Sequence, residues 1–266
     1  MKIFVFGSNG MLGTYVTSYL KQFYDVIPLT RKDLELSNLT DLTFFEFINK
    51  KIQKNDIIIN CSGIIKNTNN INDMIMVNSV FPNLLAKLKN NVIHITTDCV
   101  YNDIDGNYNE NSKICCNDNY SQSKQLGENG NLTIIRTSII GECIDDKSLL
   151  EWVKMNSGKT IDGYINHLWN GVTCLELSKF IKTIIKEKTY WKGVRHIFSP
   201  TTVSKYDLVS IINDVYNLNI NINKKKTEPC YRNLNTIYHN PILNDIRFQI
   251  NELKNFNLPK EGNGNI

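Results

Sequence analysis

A chain of 266 residues, 41% hydrophobic and 21% charged, can bury a full core and has the composition of a soluble globular protein. Its net charge of +4 is small and spread out, and the one dense basic cluster, Lys224-Lys225-Lys226, reads as a solvated strand end, so no nucleic acid is implied. No apolar stretch approaches the roughly 20 residues that cross a bilayer.

Met1–Phe6 is a short apolar run stopped by Gly7, with no signal-peptide pattern, and a helical pattern begins near Met11. Short strands are expected at Asp25–Leu29, Asp56–Asn60, Val92–Thr96 and Leu132–Arg136. Helical spacing covers Leu39–Gln53, Ile71–Lys89 and Asn119–Glu128 between them. Apolar strands alternating with helices imply an α/β fold, a parallel sheet covered on both faces. The polar segment Asn102–Asn119 reads as a surface loop. Beyond Arg136 the pattern changes. Leu149–Met155 reads as helix and Thr160–Ile165 as a short strand. Thr173 and Glu176 match a capping box that opens a helix to about Lys188. Val194–Phe198 suits a core strand, Ser204–Tyr216 is amphipathic, Asn219–Lys224 alternates, and the tail from Glu261 reads as frayed.

Seven cysteines at irregular spacings include the vicinal pair Cys115-Cys116 but no second paired motif. Free thiols in a reducing, cytoplasmic setting follow, and no metal site.

Gly7-Ser8-Asn9-Gly10-Met11-Leu12-Gly13 follows the first strand and opens the first helix. Glycines there permit a tight turn and the close approach of a pyrophosphate to the helix N-terminus. The second strand ends in Thr30-Arg31-Lys32, where enzymes using NAD usually carry an acidic residue; a basic pair suits the 2′-phosphate of NADP. Tyr120 and Lys124 stand i, i+4 on one face of a helix, a spacing at which an ammonium lowers the pKa of a phenol.

Taken with Asn60-Cys61-Ser62-Gly63, Val77-Asn78, Thr96-Thr97-Asp98 and Arg136-Thr137-Ser138, these motifs resemble the extended short-chain dehydrogenases/reductases. The dTDP-4-dehydrorhamnose reductase group is the most similar, over nearly the whole chain. The resemblance implies a Rossmann doubly wound sheet from 1–142 and 166–198 that binds NADPH, with NADH also open. It implies a small substrate-binding domain from 143–165 and 199–266. Gly7, Asn9, Gly10, Met11, Leu12, Gly13, Arg31, Lys32, Cys61, Ser62, Gly63, Asn78, Tyr120 and Lys124 would hold the cofactor. Thr97 would hydrogen-bond a sugar 4-ketone, Tyr120 would give the proton, and Lys124 would tune Tyr120 and hold the nicotinamide ribose. His167, Trp169 and Arg232 fall where the group meets the sugar and its nucleotide diphosphate. A homodimer is compatible with all of this.

Cys99 stands where the rhamnose reductases usually have an aromatic residue, and is similar in this to sugar-nucleotide reductases that epimerise before reducing. A 4-ketone acidifies the protons on C3 and C5, and a thiol of pKa about 8.5 can be tuned to remove one. On an extended chain Thr97 and Cys99 would project to the same side. Lys147, with His167 as the alternative, occupies the place of the opposing proton donor. The expected activity is therefore C3 epimerisation and C4 reduction of a nucleotide-linked 4-keto-6-deoxy sugar. The substrate would be of the UDP-2-acetamido-2,6-dideoxy-hexos-4-ulose or UDP/dTDP-4-keto-rhamnose type. Competing readings are a non-catalytic NADP-binding regulatory subunit, disfavoured by Tyr120 with Lys124, and an NAD-recycling 4-epimerase, disfavoured by Arg31-Lys32.

Overall fold

In the computed structural model, residues 1–65, 70–143, 148–239, 241 and 243–258 are described; Lys147 and the tail lie outside them. Strands β1 (Ile3–Phe6), β2 (Val26–Leu29), β3 (Ile57–Asn60), β4 (Asn91–Thr97) and β5 (Thr133–Thr137) come first, interleaved with helices α1 (Met11–Leu20), α2 (Asp41–Lys51), α3 (Ile71–Ile75), α4 (Phe81–Leu85) and α5 (Asn119–Leu126). Then follow β6 (Ile139–Ile140), α6 (Leu149–Met155), β7 (Thr160–Tyr164), β8 (His167–Trp169), β9 (Val172–Thr173), α7 (Cys174–Glu187) and β10 (Gly193–His196). The chain closes with β11 (Val203–Ser204), α8 (Lys205–Tyr216), β12 (Asn221–Lys225), β13 (Cys230–Tyr231) and α9 (Ile246–Asn255).

The main sheet runs β10-β5-β4-β3-β1-β2, every pair parallel. Side chains alternate across its faces. Ile3, Val5, Ile57, Ile59, Ile93 and Ile95 join the core under α1 and α7. Phe4, Phe6, Ile58 and Val92 join the core under α2 and α4 with Phe44, Ile48, Phe81 and Leu85. Two buried faces demand strands that are apolar throughout, which is why these runs do not alternate with polar residues. From β1 the chain goes outward to β2 and then back to β3, so the sheet has its switch point between β1 and β3, where a crevice opens beyond the strand ends.

The expected 71–89 helix is broken by a π turn, Met76–Val80, and ends at Leu85. Only half of the Thr173 capping box forms. Thr173 Oγ1 accepts from Glu176 N at 3.1 Å, but Gln249 of α9 takes the Thr173 N–H and the Glu176 carboxylate turns to Asn244. α9 itself is unanticipated, although Asp245 caps it and Ile246, Ile250 and Leu253 form one buried stripe. The 166–198 range divides: β10 joins the main sheet, whereas β8 pairs with β11 and β13 in a three-stranded sheet. β7 and β12 pair separately.

Behind the sheet ends lies a buried polar knot. Arg136 donates from Nε and Nη2 to the two oxygens of Glu128, at 3.0 and 2.5 Å, and both side chains are at most 5% exposed. Its Nη1 donates to Tyr101 Oη at 2.6 Å, and the Tyr101 hydroxyl and His196 Nε2 are 3.0 Å apart. Tyr101 stacks on Tyr108 at 4.3 Å, so the knot anchors the loop that follows β4. Removing one partner of such a pair strands a buried charge. Arg136→Met should therefore lower the unfolding free energy by about 3–5 kcal/mol in denaturant titration. A compensating Glu128→Leu in the same chain should restore part of it.

Candidate active site

A cavity of about 490 Å³ opens at the switch point, lined by Gly7, Asn9 and Gly10 on one side and by Cys61, Ser62 and Gly63 on the other. Arg31, Lys32, Glu35 and Ser37 stand at its outer end. Gly7 has φ +72°, and a Cβ there would lie 2.7 Å from the Ser62 backbone. On Gly13 a Cβ would meet the Gly7 carbonyl oxygen at 2.0 Å. Both positions therefore require glycine for the turn to close. Gly10 caps α1 without any side-chain hydrogen bond and no acidic residue sits in the first turn. The helix thus offers its N–H groups and the positive end of its dipole to an anion. Leu12 is in the core and Met11 packs partly buried against it, so what these two residues offer the cavity is their backbone.

The inner end of the cavity is Gly63, where an added Cβ would be 3.7 Å from Lys124 Nζ. Asn78, placed by the π turn, is fully buried and holds this loop: its amide accepts from Ile64 N and donates to Ile64 O, both at 2.9 Å, and donates to Ser123 Oγ at 3.0 Å. Asn78 is thus a clamp between the β3 loop and α5. Ser62 is likewise fixed, its N–H and hydroxyl both donating to Asn60 Oδ1.

Asp118 caps α5 in a reciprocal box with Ser121, which sets Tyr120 and Lys124 over the carboxyl end of β4. Lys124 is 5% exposed and donates to Ile95 O at 2.9 Å; burial pulls its ammonium down to about 8. Tyr120 moves the opposite way from the expectation that Lys124 would acidify it. Burial first, then the Cys99 thiol, push the phenol up, and a hydrogen bond with Thr97 opposes them only in part. The reason is positional: Lys124 is engaged below, with Ile95, while Tyr120 faces Thr97 and Cys99.

After Thr97 the chain is not extended. Asp98–Val100 is a 3₁₀ turn, in which Thr97 Oγ1 donates to Asp98 Oδ1 at 3.2 Å and accepts from Cys99 N at 3.1 Å. Cys99 nonetheless stays beside Tyr120, because the tight turn folds the thiol back toward α5. Arg232 reaches it from the other side, with Nη1 at 3.6 Å from Cys99 Sγ and Nη2 paired with Asp103. His167 Nε2 is engaged by Thr227 Oγ1 at 2.8 Å and by the Glu228 carbonyl. Trp169 is 3% exposed and donates to Ser138 Oγ at 2.8 Å, so it is packed into the core. Asp98, Asp103 and Lys205 are members of this cluster that the sequence did not single out. Asp98 was within reach, inside the Thr96-Thr97-Asp98 motif; Asp103 and Lys205 lie in segments with no local signal.

Lys124 has a pH signature. Its folded value, about 8, lies below the roughly 10.4 of an unfolded lysine, so between these values the unfolded chain holds the extra proton. Stability from this group accordingly rises with pH across that window and is lowest below it. Unfolding free energies of Lys124→Met should lack the rise that wild type shows from about pH 8 to pH 10.

A family model described as the RmlD substrate binding domain matches residues 1–156. No curated protein matches the chain. Among solved structures, a dTDP-4-dehydrorhamnose reductase from Clostridium acetobutylicum aligns with a TM-score of 0.79 at 20% identity, covering 96% of this chain and 99% of that one. One from Bacillus anthracis in complex with NADP gives 0.80 at 18%, covering 95% and 98%. Another from Yersinia enterocolitica gives 0.78 at 22%, covering 95% and 98%. Those likenesses establish the fold. With the family match extending over more than half of its length, the chain belongs to the RmlD substrate binding domain family of extended short-chain dehydrogenases/reductases.

Proposed function

We propose that the protein reduces a nucleotide-linked 4-keto-6-deoxy sugar at C4 with NADPH, after epimerising it at C3. The observation that carries this reading is the gathering of Thr97, Cys99 and Tyr120 where β4 ends, beside the inner wall of the switch-point cavity. A dinucleotide fits the residues present: the Gly7 and Gly13 turn leaves no room for a Cβ, and α1 presents an uncapped N-terminus. Gly7, Asn9 and Gly10 would hold the pyrophosphate, Arg31 and Lys32 the 2′-phosphate, and Cys61, Ser62 and Gly63 the nicotinamide half. When bound, NADPH supplies the hydride for C4. The relative from Bacillus anthracis, solved with NADP, supports the choice of cofactor.

Thr97 polarises the ketone oxygen by turning its hydroxyl proton to it from Asp98 Oδ1. Tyr120 then delivers a proton to the oxygen as negative charge develops there. Its raised pKa keeps the phenol protonated across the neutral range, so the proton is present to be given. Lys124, beneath Gly63, sets a positive charge under the ribose side of the cavity. Cys99 removes the C3 proton, and Lys147 is the proposed donor to the opposite face. The main sheet with its helices would carry the cofactor, and the three-stranded sheet of β8, β11 and β13 with its surroundings the sugar. The favoured substrates are UDP-2-acetamido-2,6-dideoxy-hexos-4-ulose and the UDP- or dTDP-linked 4-keto-rhamnose precursors.

The test is incubation with NADPH and UDP-, dTDP- and GDP-linked 4-keto-6-deoxy sugars, with products read by NMR. Tyr120→Phe should bind NADPH normally yet lose about 10²–10⁴-fold in turnover. Near-normal reduction by that variant would remove Tyr120 from the mechanism. In heavy water without NADPH, wild type should wash deuterium into C3, while Cys99→Ala should not. The same variant should still reduce a substrate already inverted at C3. Exchange by Cys99→Ala at the wild-type rate would return Cys99 to a packing role.

A further inference from the structure

The guanidinium at Cys99 has no place in the reduction itself. Arg232 follows β13, and its N–H donates to Leu168 O at 2.9 Å, so the residue hangs from the three-stranded sheet. The loop after β4 is tied to the same segment. Tyr231 N–H donates to Asp103 O at 2.7 Å, Tyr108 N–H to Asn233 O at 3.1 Å, and Tyr108 bridges Leu234. Gly106 is wedged there with φ +68°, and a Cβ on it would meet Asn233 Oδ1 at 2.8 Å. Two segments about 130 residues apart are thereby pinned together, and the Asp103–Arg232 ion pair fixes the fork in orientation. The free arm of the fork, Nη1, then lies 3.6 Å from Cys99 Sγ. The Cys99 thiol donates to Asp98 Oδ1 at 3.8 Å, and Asp98, 4% exposed, leaves its Oδ2 without a partner.

We propose that Arg232, oriented by Asp103, is a positioning residue that holds Cys99 as a thiolate for proton abstraction beside the sugar ketone. This rests on the epimerase part of the reading above. The charges facing Cys99 come from four directions: Asp98 on its own turn, Tyr120 from α5, Lys205 from the start of α8, and Arg232, paired with Asp103, from the pinned segments. Tyr120 is neutral at working pH, and Asp98 is buried with its carboxyl pushed up by loss of water. Of the two cations, Arg232 is the one in contact with sulfur, and a guanidinium does not titrate in this range. In the step itself, the C3–H bond breaks and its proton goes to Sγ. The electron pair moves into the C3–C4 bond as the C4 carbonyl becomes an enolate. Reprotonation of C3 from the other face completes inversion and regenerates the ketone. A fixed positive charge beside sulfur stabilises the thiolate before this transfer.

The pH dependence of Cys99 alkylation by iodoacetamide, read by peptide mass spectrometry, tests this on the full-length protein without substrate. Wild type should show a midpoint below the ordinary thiol value of about 8.5. Arg232→Gln should raise the midpoint by about one unit or more, which is about a tenfold loss of thiolate at neutral pH. Arg232→Lys should fall between, because it keeps the charge but not the fork. Deuterium exchange at C3 should decline in the same order, and raising the pH should rescue Arg232→Gln. An unshifted midpoint in both variants overturns the proposal, as does a shift without a matching loss of exchange in a wild type that does exchange. Should wild type exchange no deuterium while the midpoint still moves, the epimerase reading fails and the thiolate contact stands.

Discussion

Everything at this site depends on how Asn78 is satisfied. One buried amide closes three hydrogen bonds, two to the backbone of Ile64 and one to Ser123. The first two hold the loop that forms the cavity's inner wall, and the third holds α5, which carries Tyr120 and Lys124. An unpaired amide in that position would cost about 1–3 kcal/mol, so the loop and the helix are not free to move independently. Gly127 closes the joint further, since a Cβ there would lie 2.1 Å from the Asn78 carbonyl oxygen. The distance between a ligand in the cavity and the phenol is thereby set by the fold.

Burial then divides the labour among the titratable groups. Water is removed from both Tyr120 and Lys124, and loss of water always favours the neutral form. The phenol keeps its proton more firmly and the ammonium holds its own less firmly, so two groups with similar ordinary values are driven apart. That arrangement lets a proton leave Tyr120 only when an oxygen beside it gains charge. Arg31 and Lys32 are exposed at the far end of the cavity, away from this chemistry.

The parallel sheet and the glycine turn were legible because their causes are local. Strands such as Ile57-Ile58-Ile59 announce burial on two faces, and Gly7 and Gly13 are required by the backbone itself. Tyr120 and Lys124 were legible through helical spacing. The cluster around Cys99 was not, because Arg232 and Asp103 lie 133 and 4 residues away from it and meet only after two loops have been pinned to each other. Local extension was also the wrong premise at Cys99: the Thr97 hydroxyl captures the Cys99 N–H and curls the chain into a turn. The half-formed box at Thr173 has a similar origin. Gln249 competes for a donor that the local pattern had assigned to Glu176, and tertiary contact wins.

The π turn at Met76–Val80 acts on helical phase. Each α-helical residue advances about 100° around the axis, and one wider turn resets that count. Upstream, Met74 faces inward on one phase; downstream, Phe81, Leu84 and Leu85 face the core on another. An uninterrupted α-helix through the same residues could not seat both sets and also bring Asn78 to the β3 loop. Shortening the segment by one residue would close the wide turn into a regular helix and draw Asn78 away from the β3 loop that it holds.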